Sequence, residues 1–182
     1  FGRFMAILAI VALGVGFFAG LKVTRSAMVE TTGDYLERQG FYDYRILSTM
    51  GFGEEEVEYL RQQQGVRGAE GAVSFDIIYE DAAGNESVAK VHSITEEVNR
   101  PVVLKGRMPE RADECLVDAN IFTEARIGEV LTLSGNNEEE DLEHFSFREY
   151  TIVGIVQSPL YIQYERGNTS LGTGKVNGFL YL

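Results

Sequence analysis

FMAILAIVALGVGFFAGL, residues 4–21, is a run of 18 side chains with no charge and no strongly polar group. An α-helix rises ~1.5 Å per residue, so about 20 such residues cross the ~30 Å hydrocarbon layer of a membrane. Arg3 precedes the run, and Lys22 and Arg25 follow it. The run therefore predicts a transmembrane helix.

Two other interpretations of this run are open. The apolar region of a cleaved signal peptide is shorter, about 7–15 residues, and Lys22 directly after the run suits a cleavage site poorly. A helix buried in a water-soluble domain would be weakened by Gly14, Gly16 and Gly20. A retained membrane anchor agrees best with the length and the flanks.

The ends of the run leave its orientation open, because Arg3 on one side opposes Lys22 and Arg25 on the other. The sequence starts at Phe1 rather than at a methionine. We therefore expect the chain to begin inside a longer protein.

Ala12, Gly16 and Gly20 recur every four residues within the apolar run. This spacing places three small side chains on one helix face, where a neighbouring membrane helix can approach closely. Chance is the other explanation, since Gly and Ala are common in membrane helices. We interpret the three residues as a packing surface toward other helices of a membrane bundle.

The charge is distributed unevenly along the chain. The first 25 residues hold three basic residues and no acid, whereas the whole chain has 16 basic and 28 acidic residues and a net charge of −12. Binding of nucleic-acid phosphates requires clustered positive charge. The acidic body after the apolar run therefore argues against nucleic acid as a partner.

The residues that could carry chemistry form no recognisable site. Cys115 is the single cysteine, in a strand-like context that predicts burial, and His92 alternates with apolar residues as a surface or partly satisfied histidine does. The acidic run 137–143 lacks the glycine and ligand spacing of a calcium loop, and residues 172–175 (GTGK) do not complete a phosphate loop. His144 is a weak metal-ligand candidate. We expect no enzyme, no metal and no cofactor.

The remainder of the chain predicts an α+β fold. The first helix should continue as a polar stalk to about Gln39, where Gly40 can end it. We predict one further helix at 54–63, a short helix at 119–126, a Pro- and Gly-punctuated link at 99–111, a polar loop at 135–143 and a Gly/Ser/Thr-rich excursion at 158–174. Strands are predicted at 41–48, 73–79, 87–94, 114–118, 130–133, 145–156 and 176–182.

Three stretches together resemble the FtsX/MacB-like permeases of ABC transporters, in the region of the first transmembrane helix and the MacB-like periplasmic core domain. The apolar helix running into a polar stalk is the first of them. The others are LKGRMPERADECLVDANIFTEARIGEVLTL, residues 104–133, and YTIVGIVQSPLYIQYERGNTS, residues 150–170. They cover about half of the chain, and their order and spacing carry the resemblance more than any one motif.

The resemblance implies a domain layout. Residues 1–40 would be the transmembrane helix and stalk, 41–98 the first half of a porter-like α+β subdomain, 99–175 an inserted, mainly β subdomain, and 176–182 a strand that returns to the porter-like part. The residues after about Lys22 would be extracytoplasmic, with the chain held in the cell membrane.

The resemblance also implies a function. Such a permease is not catalytic; it couples the motion driven by a separate cytoplasmic ABC ATPase to export or signalling outside the cytoplasm. The implied partners are that ATPase, other transmembrane helices and the lipid bilayer. A singly anchored extracytoplasmic binding or sensor domain is the alternative that the same residues allow.

Overall fold

The computed structural model describes residues 1–182, which form two compact units, Phe1–Arg38 and Gln39–Leu182. The first unit is one uninterrupted helix, α1 (Gly2–Arg38), with no buried residue. Its length and composition suffice to cross a membrane, a property that a signal sequence near an N-terminus shares. The prediction that the helix continues past the apolar run is confirmed, and Gly33 does not break it.

Gly40 follows the helix in the left-handed region of backbone conformation, with φ of +65°. The backbone N–H of Asn99 donates to the Gly40 carbonyl at 3.0 Å, and that of Arg100 donates to the Gln39 carbonyl at 3.0 Å. A Cβ atom on Gly40 would lie 2.3 Å from the Glu97 carbonyl oxygen. Both the conformation and the close approach therefore require glycine here.

Replacing Gly40 by alanine should destabilise the second unit by about 1–3 kcal/mol, because the new methyl group meets a backbone oxygen in a strained conformation. The thermal midpoint of the β circular-dichroism signal of the full chain in detergent micelles measures this loss. Gly33→Ala is the matched control, since nothing lies within 4 Å of its Cβ position. An equal midpoint for both variants would contradict the account of Gly40.

The second unit is built on seven strands: β1 (Ser74–Glu80), β2 (Glu86–His92), β3 (Val102–Gly106), β4 (Glu114–Asp118), β5 (Val130–Leu133), β6 (Glu149–Gln157) and β7 (Gly178–Tyr181). They form one sheet in the order β3-β6-β4-β7-β2-β1-β5, and β5 pairs with β6 as well as with β1. This second pairing curls the sheet into a barrel-like closure. Helix α2 (Glu54–Arg61) precedes the sheet in the chain, and helix α3 (Glu139–Glu143) lies between β5 and β6.

The long strand β6 pairs along both of its edges. One edge takes β4 in parallel, and the other takes β5 near Thr151 and β3 from Gly154 onward. Gly154 sits where the neighbours approach most closely: an added Cβ would lie 2.5 Å from the Arg107 carbonyl oxygen and 2.8 Å from the Leu116 side chain. The glycine therefore lets β4 and the chain at the end of β3 both approach β6 closely.

The hydrophobic core lies on both faces of this sheet. The larger cluster includes Ile77, Cys115, Leu131 and Ile152, all at most 1% exposed, and the smaller one is centred on Leu116, Val156, Phe179 and Tyr181. Strands β4 and β7 are buried along their whole length. Such near-continuous apolar strands are typical of a sheet that is covered on both sides.

The predicted boundary at residue 99 is not found. Strand β2, from the range 41–98, pairs in parallel with β7, and β7 pairs with β4 from the range 99–175. One continuous sheet thus runs through all three predicted ranges, and residues 39–182 form a single compact unit. The final strand makes the difference, because it inserts between the two predicted parts instead of extending one of them.

Several predicted elements are corrected. Residues 41–48 form no strand, and the supposed link 99–111 contains β3, with Pro101 directly before the strand. Proline lacks an N–H, which suits this outermost position of the sheet. The helix predicted at 119–126 is reduced to a 3₁₀ turn, Glu124–Arg126, and the strand predicted from 145 starts at Glu149. The strands at 114–118 and 130–133 are confirmed residue for residue.

Candidate functional site

The predicted packing residues lie on one face of α1. Ala12, Gly16 and Gly20 are exposed, and no atom lies within 4 Å of the Cβ position of either glycine. Thr24, four residues further, continues the same line, and its hydroxyl donates to the Gly20 carbonyl at 2.8 Å. The face is therefore smooth and its hydroxyl is satisfied within the helix. Its role in packing stays a prediction.

A buried group of interacting polar side chains lies elsewhere, under the chain that connects β6 to β7. We call residues 158–175 the strap. Arg166 of the strap is buried and forms a two-pronged ion pair with Asp118 at the end of β4: Nε donates to Oδ2 at 2.5 Å and Nη2 to Oδ1 at 3.0 Å. The two side chains are only 3% and 2% exposed. Two parallel charge-assisted hydrogen bonds fix both distance and orientation.

Arg166 is also enclosed by aromatic rings. Its guanidinium carbon lies 5.2 Å from the centre of the Tyr161 ring and 5.4 Å from that of Phe179, and these two rings stack at 4.7 Å. The remaining Nη1 donates to the Gln163 carbonyl within the strap. The cation is thus desolvated, and its partners are an acid, two ring faces and a backbone oxygen.

Arg166→Ala should destabilise the full chain by about 3–5 kcal/mol, because it leaves the carboxylate of Asp118 buried without its cation. Chemical denaturation in detergent, followed by tyrosine fluorescence, measures the loss. Replacing both partners with apolar residues (Asp118→Leu with Arg166→Met) should cost less than the single change. Lys105→Ala is the control: its pair with Glu124 is 57% and 65% exposed, and exposed pairs contribute about 1 kcal/mol or less. A double variant as unstable as Arg166→Ala would argue against the desolvated charge as the cause.

A second contact holds the strap to β2. His92 Nε2 and the Tyr161 hydroxyl are 2.7 Å apart, and the imidazole lies between the rings of Tyr161 and Tyr181 at 5.6 and 5.5 Å. The Tyr181 hydroxyl in turn meets the Ser158 hydroxyl at 2.7 Å. Histidine, two tyrosines and a serine thus form one polar cluster among aromatic rings.

The protonation of this cluster is set by its surroundings. Burial, with the positive charges of Lys90 and Arg45, lowers the pKa of His92 to about 4, against the opposing charge of Asp76. Burial also raises the pKa of Tyr161 well above its usual range. Near neutral pH both groups are therefore uncharged, and the cluster is a hydrogen-bonded clamp rather than an acid–base pair poised for catalysis.

The lowered pKa of His92 makes stability depend on pH. His92 takes up a proton near pH 6.5 in the unfolded chain and near pH 4 in the folded chain. The contribution of neutral His92 to the free energy of unfolding is therefore complete above pH 6.5 and is lost as the pH falls through 4. Between these values we expect the free energy of unfolding of the wild-type chain to fall by up to about 3 kcal/mol more than that of His92→Gln. Denaturation curves between pH 4 and 7 test this. His144→Gln, which removes an exposed histidine outside this cluster, is the control variant.

Cys115 and the acidic run 137–143, the other candidates for chemistry, lie in surroundings that indicate a structural role. Cys115 is fully buried, and burial raises its pKa to about 12, so the thiolate is not available near neutral pH. In the acidic run, Glu138, Glu139 and Glu140 are exposed, whereas the buried Asn137 accepts from the Ile78 N–H and donates to the Ile78 carbonyl, both at 2.7 Å. The chain holds no group of three His, Cys, Asp or Glu side chains placed for a metal.

The strap is the most accessible part of this site. A shallow groove runs beside it, and the side chains of Ile162 and Tyr164 stand 60% and 76% exposed. The groove is lined by Phe41, Pro159, Leu160, Tyr161, Ile162, Gln163, Glu165, Arg166 and Gly167. The strap is thus held at its buried side by the Arg166–Asp118 pair and exposes Ile162 and Tyr164 to solvent. We call this exposed part the rim; it can form a contact surface but offers no activated nucleophile. The sequence predicted only a Gly/Ser/Thr-rich excursion at 158–174 and did not indicate the roles of Arg166 and Asp118 or the pairing of His92.

Comparison of the chain with protein families, with curated proteins and with solved structures finds no match.

Proposed function

We propose that this chain is part of the permease subunit of an FtsX/MacB-like ABC transporter, in which a non-catalytic extracytoplasmic domain is carried by a transmembrane helix. One observation supports this most directly. Helix α1 joins a lipid-compatible half to a polar half without a break, and a separate compact unit follows it. The resemblance of the three sequence stretches to FtsX/MacB-like permeases supports the choice of family.

The helix has the form of a mechanical link. Residues 22–38 continue it for 17 residues, which extends it by about 25 Å beyond the apolar run. A hydrogen-bonded helix resists bending much more than an irregular linker does. Motion that a cytoplasmic ATPase imposes on the membrane part would thus reach the extracytoplasmic side through α1.

The chemistry of the second unit favours a role in movement or binding over catalysis. His92 and Arg166 carry the functional groups most often used in catalysis, but here their hydrogen bonds hold the strap in place. Cys115 is buried in the core. The exposed rim of the strap would be the surface at which a substrate or a signalling partner is met.

The porter-like α+β part predicted at 41–98 has no separate counterpart, because its strands β1 and β2 belong to the barrel. Helix α2 in this range has only Val57 and Leu60 half-buried and lies outside the sheet, whereas the barrel takes up residues 74–181. In this proposal the barrel is the mainly β part of the domain.

Affinity purification of the full-length encoded protein from membranes tests the proposal. We expect the protein to stay in the membrane at alkaline pH, its residues 39–182 to be cleaved by protease added from outside the cytoplasm, and an ATP-hydrolysing subunit to co-purify. A membrane-inserted protein that carries no ATPase would contradict the permease role and support a singly anchored domain. Release of the second unit without α1 would identify the helix as a signal sequence.

The small-residue face provides matched variants for the same experiment. Gly16→Leu should reduce co-purification of the complex severalfold, because a bulky side chain prevents close approach of helices. Val15→Leu changes a position about 100° around the helix and should leave the complex intact. Both variants should insert equally well, since leucine suits lipid. Equal assembly of the two variants would leave this face without a packing role.

A further inference from the structure

Residues 41–47 are a strand-like sequence without a strand partner, and we call them the unpaired segment. Their sequence is FYDYRIL, rich in aromatic and branched residues that favour strands. None of the backbone groups of residues 43–47 hydrogen-bonds within the chain. Tyr44, Ile46 and Leu47 are 89%, 57% and 75% exposed.

The free backbone of the segment can accept a strand. All of its residues have negative φ, so no residue needs to leave the ordinary region to become extended. Unpaired N–H and C=O groups beside exposed apolar side chains form a template for pairing with another chain. One end is already held in place, because the Tyr42 N–H donates to the Asn99 side-chain oxygen at 3.1 Å.

The order of residues in the segment complements itself. In an antiparallel pair centred on Tyr44, Asp43 of one copy faces Arg45 of the other, and the reverse pair forms by symmetry. Tyr42 then faces Ile46 on the opposite side of the ribbon, and Phe41 faces Leu47. Opposite charges and apolar groups directly across a strand pair stabilise it, and no like charges meet.

We propose that the unpaired segment pairs with the same segment of a second copy of this chain, around a two-fold axis at Tyr44. The segment itself is neutral, carrying one acid and one base, although the chain has a net charge of −12. A twofold axis normal to the membrane allows both copies to stay anchored.

Membrane anchoring is part of the proposal. A two-stranded ribbon alone is only marginally stable in water. Two chains held in one bilayer, however, meet at a raised effective concentration. The inference thus rests on the membrane anchor of the proposed function but not on the ATPase.

Cysteine crosslinking in membranes of cells that make the full chain tests the pairing. Opposed residues in an antiparallel pair have Cα atoms ~4.5–5.5 Å apart, within the range that a disulfide bridges. Tyr44→Cys should therefore form a dimer band on mild oxidation. Met50→Cys is the matched control, because this side chain is 96% exposed but lies six residues from the axis, in the turn after the unpaired segment. The native Cys115 is buried and should form no band.

Charge exchange tests the register. Added to Tyr44→Cys, either Asp43→Arg or Arg45→Asp alone places like charges opposite each other and should reduce the dimer band about fivefold or more. The combined exchange, Asp43→Arg with Arg45→Asp, restores opposite charges and should restore the band. All variants are scored only in the alkali-resistant membrane fraction, so loss of anchoring is seen separately.

Three results would overturn the proposal. Equal crosslinking at positions 44 and 50 would mean random collision, and a band that ignores the charge exchange would mean a different register. A membrane-inserted Tyr44→Cys chain that stays monomeric under oxidation would mean that the segment is covered by another strand or by nothing.

Discussion

The shared pairing of strand β6 is the constraint on which the barrel depends. A strand has two edges, and β6 uses one for β4 and divides the other between β5 and β3. Because β5 also pairs with β1, the division closes the sheet. Closure removes most of the free edges that an open sheet would expose. It also explains the two glycines at this place, since Gly154 and Gly106 both lie where an added Cβ would strike backbone.

The strap follows from this closure. After β6 the chain must cross the buried strand β4, because the next strand, β7, lies between β4 and β2. Asp118, at the end of β4, lies on this path, and its ion pair with Arg166 fixes the strap in the crossing. The same carboxylate accepts from the Asn120 N–H at 2.9 Å, so one side chain organises both the end of β4 and the strap above it. Burial of the Arg166–Asp118 pair carries a desolvation penalty, and its effect is to fix the path of the strap, which has no regular secondary structure of its own.

The sequence predicted the local elements well and the long-range ones poorly. The apolar helix, helix α2 and strands β4 and β5 are encoded by neighbouring residues, through apolar runs, turn glycines and branched side chains. The same local signal predicted a strand at 41–48, which is wrong for this chain because these residues pair with no strand of the barrel. Strand β3 was missed because Pro101 and Gly106 resemble a link, although an edge strand tolerates both.

The site was less predictable than the fold for a related reason. Asp118 and Arg166 are 48 positions apart, and His92 and Tyr161 are 69 apart. No spacing rule connects such residues; only the insertion of β7 between β2 and β4 brings them together. The sole local signal was an acid closing an apolar strand, ECLVD, where a buried charge would need a partner. Arg166, in a Gly- and Thr-containing loop, carried no signal at all.

The two units are stabilised by different means. The barrel buries its own core, whereas α1 leaves apolar side chains such as Phe17 and Phe18 69% and 74% exposed within the chain. By length and composition this helix is apolar enough to cross a membrane. The second unit is nevertheless tied firmly to the chain that enters it, because residues 39 and 40 are bonded through their backbone carbonyls to the N–H groups of residues 100 and 99. Backbone bonds of this kind keep their length when side chains reorient. The chain therefore enters the second unit beside residues 99–100, just before edge strand β3, which pairs with the central strand β6.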